Sequence, residues 1–182
     1  ADAIAPGLML AYGIGRSGCY LSGDGDWGVC SSLADKPSWI PAWLWSETFP
    51  RAYVGMDPVQ YNEVVRGEVC AVASPDGVYP PMLYELAMAA VLAAVLWVAR
   101  KHPFKAGWVI SLYGVLAGLQ RFAIETIRVN PEVAFGLSQS QLISIGFVIA
   151  GLIGLAITTR RVVPNATDDP PAEAAPAAVA AA

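Results

Sequence analysis

Charge is scarce in this chain: Lys, Arg, Asp and Glu together make up 14% of 182 residues, while hydrophobic residues make up 55% and mean hydropathy is +0.49. That balance lies outside the range of an ordinary soluble domain. Histidine is nearly missing, with His102 the single one, and the three cysteines form no spacing that suits zinc, haem or a nucleotide. Neither a metal nor a cofactor is therefore expected. A net charge of −4 weighs against nucleic acid as a partner. No Lys or Arg precedes the first apolar stretch, which separates it from a signal peptide, whose leading region is basic. The chain is expected to begin partway through a larger membrane protein or a processed product. No internal repeat and no pair of broken helices is visible, which argues against a transporter.

What is present is long apolar sequence. Met82 to Ala99 carries one charge, Glu85, while Ala106 to Gln120 and Leu142 to Thr159 carry none. A bilayer span needs about 20 mostly apolar residues, so each run suffices once its flanks are included. A fourth run, Ala3 to Gly15, is 13 residues long and reads as the end of a longer or tilted helix. Arg16, Arg121 and Arg128, with Glu85 and Glu125, sit inside or at the edges of these runs. A charge at the bilayer centre costs roughly 2.5–3.5 kcal/mol on insertion scales, so a polar site within a membrane protein is the expected reading. The fold expected is all-α, a polytopic integral membrane helix bundle with a Trp-rich extracytoplasmic loop.

Basic residues orient it. Arg100, Lys101 and Lys105 lie between two runs and Arg160 and Arg161 follow the last, so these sides are expected to be cytoplasmic. Residues 1–160 then form the membrane domain, with 22–81 as an outward loop or cap within it. The loop holds Trp27, Trp39, Trp43 and Trp45, and the stretch from Pro37 to Trp45 reads either as an interfacial aromatic segment or as a packed cluster in the cap. Cys30 and Cys70 both fall in this loop, where an oxidising compartment lets them pair, and Cys19 stays apart. Residues 161–182, rich in Ala, Pro and acid, are expected to be a disordered cytoplasmic tail.

At about 100° per residue, Gly114, Ala117, Gly118, Arg121, Glu125 and Arg128 fall on one helical stripe. Gly114-x-x-x-Gly118 lets another backbone approach, and Glu125 is spaced to orient both guanidiniums. Two arginines with one carboxylate leave a net positive charge suited to a lipid phosphate; a self-satisfied ion network is the alternative. Upstream, Gly13 to Gly28 is dense in glycine, and Arg16 is expected where a helix breaks into a loop that approaches a phosphate. Asp24-Gly-Asp26 has the look of a metal pair but reads better as a turn.

Four ordered motifs resemble the bacterial prolipoprotein diacylglyceryl transferases: Gly15 through Gly23 with Trp27-Gly28, Tyr79 through Tyr84-Glu85, Arg121 through Glu125 to Arg128, and Gly136 through Gln139 to Gln141. The resemblance covers roughly residues 5–160. It implies a multi-pass enzyme of the bacterial inner membrane that moves the diacylglyceryl group of phosphatidylglycerol onto the lipobox cysteine thiol of a prolipoprotein signal peptide, releasing glycerol phosphate. Partners would be phosphatidylglycerol, that peptide and membrane lipid. By resemblance the catalytic residues are Arg16, Arg121 and Asp24, and the substrate-binding residues are Arg16, Gly18, Cys19, Gly28, Tyr84, Glu85, Arg121, Glu125 and Arg128.

The pattern also departs from the family. The family's Asn is Cys19, its Tyr four residues before the second Arg is Ala117, the segment before Glu85 differs, and the loop at Asp26 is one residue longer. The His-Gly-Gly segment that precedes the signature has no counterpart in this sequence, and His102 falls on the expected cytoplasmic side. The alternative function is therefore a non-catalytic membrane protein of the same family that binds anionic phospholipid or lipoprotein.

Overall fold

A computed structural model describes residues 1–50, 55, 57–61 and 76–159. Five helices carry it: α1 (Ala5–Ser22), the single turn α2 (Ala42–Trp45), α3 (Pro81–Ala99), α4 (Trp108–Glu125) and α5 (Gln139–Thr158). Each of the apolar runs seen in the sequence lies in one of the long helices. Two of them, α3 and α5, are long and apolar enough to cross a membrane, with mean hydropathies of 2.0 and 2.1. On α5 the side chains of Ile149, Ile153 and Ile157 share one face and are more than half exposed.

Local chemistry sets the ends. Prolines occupy the first turns of α1 and α3, where a missing N–H costs nothing. Ser138 caps α5 through a capping box: its hydroxyl accepts from the Gln141 N–H while the Gln141 side chain accepts from the Ser138 N–H. The first turn of α4 is capped from a distance, because the Asp2 carboxylate accepts from the N–H groups of Gly107 at 2.7 Å and Ile110 at 3.0 Å.

One expectation fails here. The glycine-dense segment after Gly15 is helical, and α1 runs on through Arg16 to Ser22 before Gly23, at φ 59°, closes it with an N–H to the Cys19 carbonyl at 3.0 Å. Of these glycines Gly13 marks packing, while Gly15 and Gly18 have open space where a Cβ would stand. A Cβ on Gly13 would lie 2.8 Å from the Cβ of Ala89, so glycine is what lets α1 press on α3. Arg16 thus projects from a rigid helix.

The helices pack mainly as the pairs α1 with α3 and α4 with α5, and α4 also touches α1 and α3. Gly118 faces the Ser144 carbonyl and Gly151 faces that of Ser111, at 2.8 and 2.7 Å from where a Cβ would stand. This is the close backbone approach expected of the small-residue stripe. A core of Ala5, Met9, Ala89, Ala93, Leu96 and Val109 fills the inner ends.

The structure adds strands that an all-α reading omits. Beyond α1, β1 (Cys30–Ser31) pairs antiparallel with β2 (Gly77–Val78), and β3 (Glu132–Ala134) with β4 (Leu137–Ser138) ahead of α5. These short ladders satisfy the backbone of a loop packed on the helix ends. The loop has its own core of Trp27, Cys30, Phe49, Val78 and Met82, with the Trp27 ring stacked on Phe49 at 5.7 Å. Trp27 is buried, Trp45 donates its indole N–H to the Ser32 carbonyl at 2.9 Å, and Trp39 and Trp43 are exposed. Cys30 is disulfide-bonded and Cys19 is free. Cys70 and the tail 161–182 lie outside the described residues.

Candidate functional site

The C-terminal ends of α1 and α4 and the N-terminal ends of α3 and α5 meet at one end of the bundle, and the charged residues converge there. At the centre is Glu85, fully buried in the first turns of α3. Its Oε2 accepts from Arg16 Nε at 2.5 Å, and its Oε1 accepts from Arg121 Nη1 at 2.9 Å and from the Tyr12 hydroxyl at 2.6 Å. Arg16 and Arg121, 105 positions apart, therefore meet on one carboxylate. Arg128 Nη1 stands 3.8 Å from Glu85 as well.

Two further carboxylates surround this centre. Asp26 accepts from Arg16 Nη1 at 2.5 Å and pairs closely with Arg128 Nη2. Glu125 places Oε2 at 3.3 Å from Arg121 and 3.6 Å from Arg128, the i+4 and i+3 pairs that the helical stripe implies. Its Oε1 accepts from Asn130 at 2.5 Å and from the Ser138 hydroxyl at 2.7 Å. Three guanidiniums thus face three carboxylates. The net positive charge expected from Arg121, Glu125 and Arg128 alone is cancelled once Arg16, Glu85 and Asp26 join them.

Not every guanidinium donor is used. Arg16 Nη2 and Arg128 Nη1 and Nε are buried without a hydrogen-bond partner. Arg121 is the most accessible of the three, its side chain 28% exposed against 12% for Arg16 and 5% for Arg128. Arg121 also lines a cavity of about 270 Å³ whose other walls include Met9, Tyr12, Ala117, Gly118 and Phe147, with Ser140 at the polar end. Ser140 accepts from Arg121 Nη2 at 3.0 Å. The cavity is therefore apolar along its length and cationic at its end.

The loop is pinned to this site by backbone. The N–H of Gly28 donates to Tyr79 O at 3.0 Å, that of Val29 to Ile127 O at 2.8 Å, and that of Val129 to Trp27 O at 3.2 Å. A Cβ on Gly28 would meet the Tyr79 carbonyl at 2.7 Å and the Ile127 carbonyl at 2.9 Å. Gly28 accordingly holds Asp26 against the arginines by letting three segments close together.

The other expected residues divide. Tyr84 turns away from the cluster and donates its hydroxyl to Leu44 O at 2.5 Å, tying α3 to the loop. Gly18 is exposed, with open space about it. Cys19 lies with its sulfur 3.6 Å from Arg16 Nη1. Asp24 is exposed and accepts from the Asp26 N–H at 3.3 Å; the acid that enters the cluster is Asp26. Cys19, Asp24 and Asp26 bring their donor atoms within 4.8 Å of one another, yet the guanidiniums already on Asp26 disfavour a cation there. Burial raises the Asp26 carboxyl pKa, and Arg128 and Arg16 outweigh burial to hold it below the usual value.

Sequence reasoning did not find Tyr12, Asp26, Gln120, Asn130, Ser138 or Ser140 as site residues. Tyr12 stands one helical turn before Arg16, a spacing that would have placed it on the same face. His102 belongs to the opposite end, where its Nε2 is 3.7 Å from Asp2.

A family model described as prolipoprotein diacylglyceryl transferase matches residues 1–157. A phosphatidylglycerol–prolipoprotein diacylglyceryl transferase of Mycobacteroides abscessus is 31% identical over 173 residues, which cover 93% of this chain and 45% of that protein. Relatives of the same description from Clostridium perfringens and Paraburkholderia phymatum are 30% and 29% identical, covering 84% and 88% of this chain and 49% and 54% of their own. The chain spans about half the length of the curated relatives it matches. No solved structure matches.

Proposed function

This chain belongs to the prolipoprotein diacylglyceryl transferase family, and from that premise we propose that it moves a diacylglyceryl group from phosphatidylglycerol to the lipobox cysteine thiol of a prolipoprotein signal peptide. It works as a multi-pass protein of the bacterial inner membrane, with α1 and α4 spanning beside α3 and α5 and the Trp-rich loop outside. Residues 1–160 form its membrane domain and 161–182 a cytoplasmic tail.

The observation that carries this reading is the apolar cavity ending at Arg121, the most accessible guanidinium of the cluster. An acyl chain fills the apolar length while the phosphate meets the cation, a fork that grips phosphate oxygens in pairs. In the reaction the thiol sulfur forms a bond to the glyceryl carbon and that carbon's bond to the phosphate oxygen breaks. The electron pair leaves with glycerol phosphate, and the proton lost from the thiol is balanced by the phosphate monoester formed. Fixed positive charge lowers the barrier to that departure. Arg16 and Arg128 keep buried donors without partners beside this site, and these add to the fixed positive charge. Arg16 and Arg121 serve as the catalytic cations. Asp26, held by Gly28, takes the catalytic acid's place that the resemblance gave to Asp24, and there it orients Arg16 and Arg128.

The test uses the chain in nanodiscs containing phosphatidylglycerol, with lipid retention and transfer to a lipobox peptide measured together. Arg16→Lys and Arg121→Lys keep charge but lose the fork, and each should cut transfer by about tenfold or more. Unchanged transfer in both removes the phosphate clamp. Lipid retention without transfer by the unsubstituted chain favours the binding-only reading, which the charge balance of the cluster supports.

A further inference from the structure

Gln120 immediately precedes Arg121 on α4 and is only 6% exposed. Its side-chain NH2 donates to the backbone carbonyl of Glu85 at 3.1 Å. A carbonyl oxygen can only accept, so this bond fixes the orientation of the amide: Nε2 faces Glu85 and Oε1 faces away from it. Oε1 is buried there with no partner among the described residues. Buried acceptors are almost always satisfied, because leaving one unmade forfeits its hydration with no return. Gln120 lines both the cavity that ends at Arg121 and an apolar hollow with Met88, Leu92 and Leu116, and of the two only the first holds charged or hydroxyl side chains. The polar groups beside it are committed: the Tyr12 hydroxyl donates to Glu85, and the Ser140 hydroxyl accepts from Arg121.

We propose that Gln120 reads the lipid headgroup: its Oε1 accepts a hydrogen bond from a headgroup hydroxyl while the adjoining phosphate lies on Arg121. The inference rests on the lipid reading above and adds headgroup selectivity to it. A donor is required because the waiting atom is a carbonyl oxygen, and a donor without charge is favoured because Arg16 and Arg121 stand beside it. A hydroxyl on the carbon chain attached to the phosphate meets both conditions. An ammonium headgroup meets only the first, and a trimethylammonium meets neither.

Phosphatidylglycerol and phosphatidylethanol carry the same charge and acyl chains and differ in the headgroup hydroxyls, so their relative affinities isolate the contact. The full chain is placed in phosphatidylcholine nanodiscs and titrated with each lipid, as the unsubstituted protein and as Gln120→Met, with thermal melting of both. The unsubstituted chain should bind phosphatidylglycerol about tenfold more tightly, the equivalent of one net hydrogen bond. Gln120→Met should erase that preference by weakening phosphatidylglycerol and leaving phosphatidylethanol as it was. Equal binding by the unsubstituted chain overturns the inference and leaves the lipid reading standing, and this comparison decides even if the variant fails to melt cooperatively. A preference that survives Gln120→Met, or an equal loss for both lipids, also overturns it, the latter assigning Gln120 a structural role. Binding of neither lipid by the unsubstituted chain sinks the lipid reading and this inference with it.

Discussion

Glu125 holds two guanidiniums with one oxygen and two neutral donors with the other. That arrangement suits orientation better than proton transfer, since both oxygens are already occupied, one by two ion pairs and the other by two hydrogen bonds. Glu125→Gln keeps an oxygen for Asn130 and Ser138 but turns an NH2 toward Arg121 and Arg128, and should cost about 1–3 kcal/mol with much of the transfer retained. Glu125→Ala strands both arginines and should cost about 3–5 kcal/mol. Detergent-resistant melting and lipid transfer, measured on both, check this. If Gln abolishes transfer while melting is normal, Glu125 becomes the leading base. Asp26 makes a separate prediction in pH. Its folded-state pKa is lowered, so its contribution is complete above the ordinary value of 3.8 and is lost as pH falls through the depressed one. Melting temperature should therefore drop more steeply with acid below about pH 4 in the unsubstituted chain than in Asp26→Asn.

Close backbone approach decides what each element tolerates. A Cβ at Gly118 would lie 2.8 Å from Ser144 O and one at Gly28 2.7 Å from Tyr79 O, and backbone on both sides leaves little room to give. Gly118→Val should loosen α4 from α5 and Gly28→Ala should lift the loop, each by about 1–3 kcal/mol or more. The two differ in consequence: Gly28→Ala should lower transfer beyond its effect on melting, because Asp26 leaves the arginines, whereas Gly118→Val should lower melting first. Transfer assayed well below the melting temperature separates them. These glycines also show how far the sequence could be read. The Gly114 to Arg128 stripe and the apolar runs were legible because helical period alone places them, and the structure keeps the stripe on α4 as far as Glu125, with Arg128 just past the end of the helix. The segment from Gly15 to Ser22 reads as a loop because glycine density signals turns, yet it is helical although Gly15 and Gly18 meet nothing across an interface, and only Gly13, against Ala89, marks a close helix contact. Asp26 was passed over for Asp24 because the extra residue in the loop shifts the acid that reaches Arg16. Tyr12 and Gln120 have partners more than 30 positions away, which no local pattern reveals.

Across the whole molecule, charge is sorted by end. Arg16, Asp26, Glu85, Arg121, Glu125 and Arg128 form a neutral, mutually paired set at one end, while Arg100, Lys101 and Lys105 stand unbalanced by neighbouring acids in sequence at the other. Unpaired cations beside apolar helices are what the positive-inside rule counts, and paired ones contribute little to it. The exposed indoles of Trp39 and Trp43 lie in the loop at the paired end, as amphipathic rings do at headgroup depth. The loop should therefore face outward and the Arg100 to Lys105 turn inward, with residues 161–182 on the inward side. Cysteines added at exposed Ala34, at exposed Lys101 and at Thr167, each in a Cys19→Ser chain that itself serves as the background for Cys30 and Cys70, test this with a membrane-impermeant thiol reagent on intact cells. Ala34→Cys should label from outside, and Lys101→Cys and Thr167→Cys only after permeabilisation. Labelling of Lys101→Cys from outside with Ala34→Cys protected would invert the molecule, and the phosphate site would then have to draw on the inner leaflet.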